Sequence, residues 1–154
     1  MSLSNSVLTR RSALGFAGTC IVAVALAPGS ALATPEAVAA EVKKLIGDRK
    51  AIEGKIKLDL PSIAENGLVV PLNFEVESPM TDKDYVKAVH IFAEGNPNVG
   101  VASFHFTPMI PKAAGAIRIR LAQTQNVVAY AEMSNGDVYT ARKEVKVTIG
   151  GCGG

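Results

Sequence analysis

The stretch PLNFEVES, residues 71–78, decides the fold class. Leu72, Phe74 and Val76 alternate with Asn73, Glu75 and Glu77, a period of two that gives an extended strand one apolar and one polar face. A helix would need its apolar positions three and four apart. The series of short strand-like runs continues on both sides. KIKLDL (55–60) precedes it; YVKAVHIFAEG (85–95), VASFHF (101–106), AIRIRLAQ (116–123), NVVAYAEM (126–133), DVYTAR (137–142) and EVKVTIG (144–150) follow. SPMTDKD, NPNVG, TPMIPKAAG, TQ and SNGD separate these runs, and Asn135-Gly136 between two of them is a hairpin signal. About seven short strands in roughly 100 residues, with no helix between them, predict an all-β fold, a two-sheet antiparallel β-sandwich of immunoglobulin-like type. A closed barrel is the alternative.

Before the strands the period is helical. In TPEAVAAEVKKLIGD (34–48), Thr34 suits a cap, Pro35 the first turn and Gly47 the stop. Val38, Val42, Leu45 and Ile46 form one apolar stripe that should dock on the sandwich.

Residues 1–33 read as an export signal: a polar start with Arg10-Arg11, an apolar stretch from Leu14 to Ala27, a Pro28-Gly29 break and Ala31-Leu32-Ala33 for cleavage. The apolar stretch falls short of the about 20 residues that a membrane span needs, so no membrane insertion is expected. Thr9, Arg10, Arg11 and Leu14 resemble the twin-arginine signal, with Ala13 and Gly15 departing from it, and the expected location is the periplasm. Cleavage after Ala33 leaves 121 residues, and 16 basic residues fall to 14 against 14 acidic ones. The mature chain is then formally neutral, which argues against a polyanion or a membrane surface as partner. With 5% aromatic residues and no Trp, nucleic acid is not an expected partner either. The chain thus divides into a removed signal (1–33), a helix (34–48), a sandwich (49–149) and a tail (150–154).

Cys20 leaves with the signal, so Cys152 is the one thiol of the exported part. It stands between Gly150-Gly151 and Gly153-Gly154, directly after the run that ends at Ile149. Glycine lacks a Cβ and tolerates φ of either sign, so these four residues predict a slim, flexible arm that can thread Cys152 into a narrow site. Three residues past Ile149 span about 10 Å when extended. A thiolate is the competent nucleophile, and nothing cationic lies close to Cys152 in sequence, since the nearest lysine is Lys146. The thiol therefore reads as an attachment point activated by partners, not as a catalyst.

No other constellation completes an active site. His90 and His105 without a second mature cysteine do not make a tetrahedral metal site, so no metal and no cofactor are expected. Asp82/Asp84 and Glu75/Glu77 read as a polar turn and a solvated strand face. Arg118 and Arg120 lie side by side on one strand face, either as a solvated pair or as a cationic spot that receives an anion.

The GGCGG at 150–154 resembles the hallmark of the SoxY family of thiosulfate-oxidation carriers. LPSIAENG (60–67), VP, SPMT, IFAEGNP (91–97), RIRLAQTQ and VVAYAEM also look like that family's segments. The resemblance implies a periplasmic heterodimer with SoxZ in which Cys152 holds sulfur intermediates covalently. In that scheme the c-type haem enzyme SoxAX joins thiosulfate to the thiol, the hydrolase SoxB removes sulfate, and a sulfane dehydrogenase or another acceptor takes the remaining sulfane. The chain itself would be a carrier and not an enzyme. The alternative is an exported β-sandwich binding module whose Cys152 makes a structural intermolecular disulfide.

Overall fold

The structure, a computed structural model, describes residues 35–151. The signal with Arg10 and Arg11, the Thr34 cap, and Cys152, Gly153 and Gly154 lie outside the described residues. Helix α1 (Pro35–Ile46) is followed by strands β1 (Ala51–Glu53), β2 (Ile56–Asp59), β3 (Ile63–Asn66), β4 (Val70–Val76), β5 (Val86–Ala93), β6 (Gly100–His105), β7 (Ala113–Ile119), β8 (Gln125–Met133) and β9 (Val138–Ile149).

Two sheets face each other. One runs β1-β9-β8-β5-β6, with β3 also on β9; the other runs β2-β4-β7. The alternation in PLNFEVES is realised in β4, where Leu72, Phe74 and Val76 are buried between the sheets and Asn73 is exposed. They meet Val89 and Ile91 of β5 and Val127, Ala129 and Ala131 of β8 in one core. Fully burying a side chain of this size is worth about 1.5–3 kcal/mol, so this layer supplies the main driving force.

Strand β5 is buried along nearly its whole length because both of its faces are covered. Its outer face carries Phe92, which packs with Val99 and Val138 under Val38, Val42 and Ile46 of α1. The helix is thus a third layer. Its contact stripe is narrower than the sequence suggests: Leu45 lies on the margin and is exposed. Gly47, at φ +67°, ends the helix and donates its amide to the Lys43 carbonyl at 2.9 Å.

Two features of β9 differ from the sequence reading, and the hairpin before it agrees. The two segments DVYTAR and EVKVTIG are one twelve-residue strand, β9. Strands β1 and β3, which the sequence did not single out, add to one edge of β9, and both run parallel to it; the sandwich is otherwise antiparallel. The Asn135-Gly136 turn does join β8 to β9 as a hairpin, with Gly136 at φ +94° and the Met133 amide bonded to the Asp137 carbonyl.

Candidate functional site

The site is the end of β9, where the chain leaves the sandwich towards Cys152. Parallel pairing brings Asn66 of β3 opposite Ile149, so the turn after β3 folds over the root of the tail. Three backbone bonds then link three segments in series. Gly67 donates to Ile149 O at 2.8 Å, Leu121 donates to Gly67 O at 2.8 Å, and Gly151 donates to Leu121 O at 3.0 Å.

The close approach explains the glycines. A Cβ on Gly67 would collide with the Leu121 carbonyl and lie 2.7 Å from the Gly151 nitrogen. On Gly150 it would collide with the Ala122 carbonyl, and on Gly151 it would lie 2.8 Å from Gly67 O. Neither Gly150 nor Gly151 has a positive φ, so what the local structure demands of both is the absence of a side chain. The sequence assigns these two residues to flexibility; the structure adds a steric requirement and seats Gly151 in a buried position. Cys152 follows Gly151 directly in the sequence.

The segment that receives Gly151 is itself clamped. Asn96, buried in the β5–β6 connection, donates from Nδ2 to Arg120 O at 2.8 Å, and its Oδ1 accepts from the Ala122 amide at 3.0 Å and Gln125 Nε2 at 2.8 Å. Gln125 Oε1 in turn accepts from the Gly95 amide at 2.6 Å. Asn96 is therefore satisfied at both ends of its amide, and it fixes residues 120–122 against the sheet edge.

Arg118 sits on β7 and Arg120 just beyond its end; both are exposed. They line a cleft of about 280 Å³ with Asn96, Asn98, Gly100, Val101 and Ile119. No carboxylate lines it, and neither arginine makes an ion pair among the described residues, whereas Arg49 and Arg142 pair with Glu132 and Glu94. Gly67 and Asn96, by contrast, were not picked out as functional from the sequence. Both stand in turn segments, ENG and GNP, and that turn chemistry is the signal that could have found them.

The histidines lie elsewhere, on the outer face of the larger sheet. His90 Nε2 is 3.1 Å from Glu132 Oε1, and His90 Nδ1 is 2.8 Å from Ser103 Oγ. Arg49 Nη2 pairs with the other oxygen of Glu132. Burial alone would raise the Glu132 pKa, but hydrogen bonds and charge from Arg49 and His90 outweigh it and hold the carboxyl below its ordinary value. The carboxylate can only accept, so Nε2 donates to it. Among the described residues no three His, Cys, Asp or Glu side chains group to hold a metal, and no helix is long and apolar enough to cross a membrane.

Residues 42–152 match the family described as sulfur oxidation protein SoxY. The chain belongs to the SoxY family. Its fold agrees with the solved sulfur carrier protein SoxY from Chlorobium limicola f thiosulfatophilum, at 32% identity and a TM-score of 0.63, over 73% of this chain and 96% of that one. More distant likeness extends to a superoxide reductase (neelaredoxin) from Ignicoccus hospitalis, at 17% identity and a TM-score of 0.53 over 75% of this chain and 94% of the other. A putative superoxide reductase from Thermotoga maritima is similar at 12% identity and a TM-score of 0.55, over 63% of this chain and 93% of the other. At those identities the superoxide reductases share the fold alone. No curated protein matches this SoxY family chain.

Proposed function

We propose that this chain is a covalent sulfur carrier, with Cys152 as the attachment point and partner enzymes supplying the chemistry. The observation that carries the reading is the SoxY family match, which runs to residue 152, onto a chain whose fold ends in a seat built for Gly150 and Gly151. A glycine-flanked cysteine next to that seat suits a substrate that others load and strip.

In the loading step thiosulfate and the Cys152 thiol lose two electrons and one proton to form a thiosulfonate, Cys–S–S–SO3⁻. The electrons leave through a haem enzyme of the SoxAX type. Water then attacks the terminal sulfur at a SoxB-type hydrolase, releasing sulfate and two protons and leaving Cys–S–S⁻. A sulfane dehydrogenase or another acceptor takes the remaining sulfur. SoxZ is the constitutive partner in this reading, and the periplasm, reached through the Arg10-Arg11 signal, is the compartment. An oxidising location suits a carrier whose exported part holds a single cysteine, because no second thiol of its own can capture Cys152.

The docked root sets how enzymes approach. With Gly151 bonded to Leu121, the exposed Leu68, Val69 and Ile149 lie beside the root of the tail and offer apolar surface to an approaching enzyme. A deeper active site must lift Gly150 and Gly151 out first, at the expense of one backbone hydrogen bond, about 0.5–1.5 kcal/mol net. That is small enough for repeated, transient visits.

Cys152→Ser tests the reading in a reconstituted thiosulfate-oxidising system. The variant should fold and bind SoxZ as the native chain does, and sulfate formation should stop. Undiminished sulfate formation would reject Cys152 as the carrier.

A further inference from the structure

We infer that the cleft between the start of β6 and the end of β7 is a binding site for a terminal sulfonate group, –SO3⁻, borne either by free thiosulfate or by the group carried on Cys152. The inference rests on the sulfur-carrier reading for its ligand, and on three observations for its place.

The first is charge. Of the four arginines in the described residues, two are neutralised by Glu132 and Glu94, and the other two, Arg118 and Arg120, both face this one cleft. Two guanidinium groups present planar arrays of donors that match the oxygens of a tetrahedral anion, and each bond to an ionised acceptor is stronger than a neutral one. Two like charges two residues apart also repel, and an anion bound between them offsets that repulsion.

The second is the rest of the lining. Asn98 and the Gly100 backbone add neutral polar groups, Val101 and Ile119 close the side, and no acidic residue competes. A volume of about 280 Å³ admits a small anion with some of its water. The third is position. Arg120 precedes Leu121, whose carbonyl holds the Gly151 amide, and the Asn96 side chain that lines the cleft also clamps the Arg120 carbonyl and the Ala122 amide. Cleft and arm root are therefore two sides of the same three residues.

The exposed setting keeps binding weak, because solvent and salt screen both arginines. A carrier wants that, since tight capture would hold the sulfonate away from the enzyme that must hydrolyse it.

The experiment follows the arginine Nε–Hε and backbone amide resonances of the full mature chain at constant ionic strength. In Cys152→Ser, thiosulfate should shift Arg118, Arg120, Asn98 and Gly100, with matched chloride as the control. In native protein treated with tetrathionate, the Cys152 thiolate displaces thiosulfate to give Cys–S–S–SO3⁻; after removal of free anion, the same resonances should shift if the carried group is the occupant. The R118Q/R120Q double variant should weaken the thiosulfate response at least about tenfold, the equivalent of about 1.4 kcal/mol, or abolish the carried-group response, while resonances of the core strands stay in place. A response in either arm that needs the arginines supports the site and names its source. No response in both arms, or one that chloride or the double variant reproduces, overturns it. Failure here leaves sulfur loading at Cys152 untouched, and absence of sulfur on Cys152 in working cells would refute the carrier reading without silencing the Cys152→Ser titration.

Discussion

Gly67 and Gly151 face each other so closely that neither has room for a Cβ: one on Gly67 would lie 2.7 Å from the Gly151 nitrogen, and one on Gly151 would lie 2.8 Å from the Gly67 oxygen. The pair joins a turn that is distant in sequence to the residue before Cys152. It makes the arm root a part of the fold.

Gly67→Ala should therefore act at the tail. The added methyl meets backbone atoms of Leu121 and Gly151, which cannot rotate away as a side-chain tip could. We expect a loss of about 1–3 kcal/mol in denaturant unfolding, the usual cost of overpacking. Hydrogen exchange at the Gly151 amide should quicken, and unchanged stability with unchanged exchange would show that the seat is not occupied in solution.

Asn96→Ala removes three hydrogen bonds at once, to Arg120 O, from the Ala122 amide and from Gln125 Nε2. Buried partners left without a bond cost about 1–3 kcal/mol, and that is the destabilisation expected in thermal or chemical unfolding. Because Asn96 also positions residues 120–122, Gly151 exchange should quicken here as well. A variant as stable as the native chain would contradict the clamp.

Glu132→Gln breaks the Arg49–Glu132–His90 cluster, in which Glu132 is largely buried. Its folded-state pKa is depressed, so the carboxylate's contribution is complete above the ordinary glutamate range and is lost as pH falls through about 4.5 and then through the lower folded value. The native chain should therefore lose stability on acidification through that window. Glu132→Gln should start about 1–3 kcal/mol less stable at neutral pH and show a flatter dependence below it. Parallel curves for the two proteins would remove Glu132 from the account.

What the sequence revealed, and what it did not, follows the physics of each element. Strand β4 is legible because one face is wet, so Leu72, Phe74 and Val76 must alternate with polar residues. Strand β5 is buried on both faces and keeps little period, yet its β-branched and aromatic run still marks a strand. Strands β1 and β3 have three and four residues, too few to show a period, and exist because the free edge of β9 templates them. Arg118 and Arg120 are visible as a pair, but the cleft they line also needs Asn98 and Gly100, brought near by folding. Likewise Gly150 and Gly151 announce freedom from any side chain, while the reason for it, contact with Gly67 and Ala122, is non-local and invisible to a reading along the chain.

The most direct measurement is the mass of one peptide. Trypsin cuts after Lys146 and releases VTIGGCGG, which contains Cys152. Taken without reducing agent from cells oxidising thiosulfate, that peptide should carry the mass of an added sulfur atom or of a thiosulfonate, removable by thiol treatment. If the peptide from working cells bears only an unmodified thiol, or only a disulfide to another chain, the carrier account is wrong.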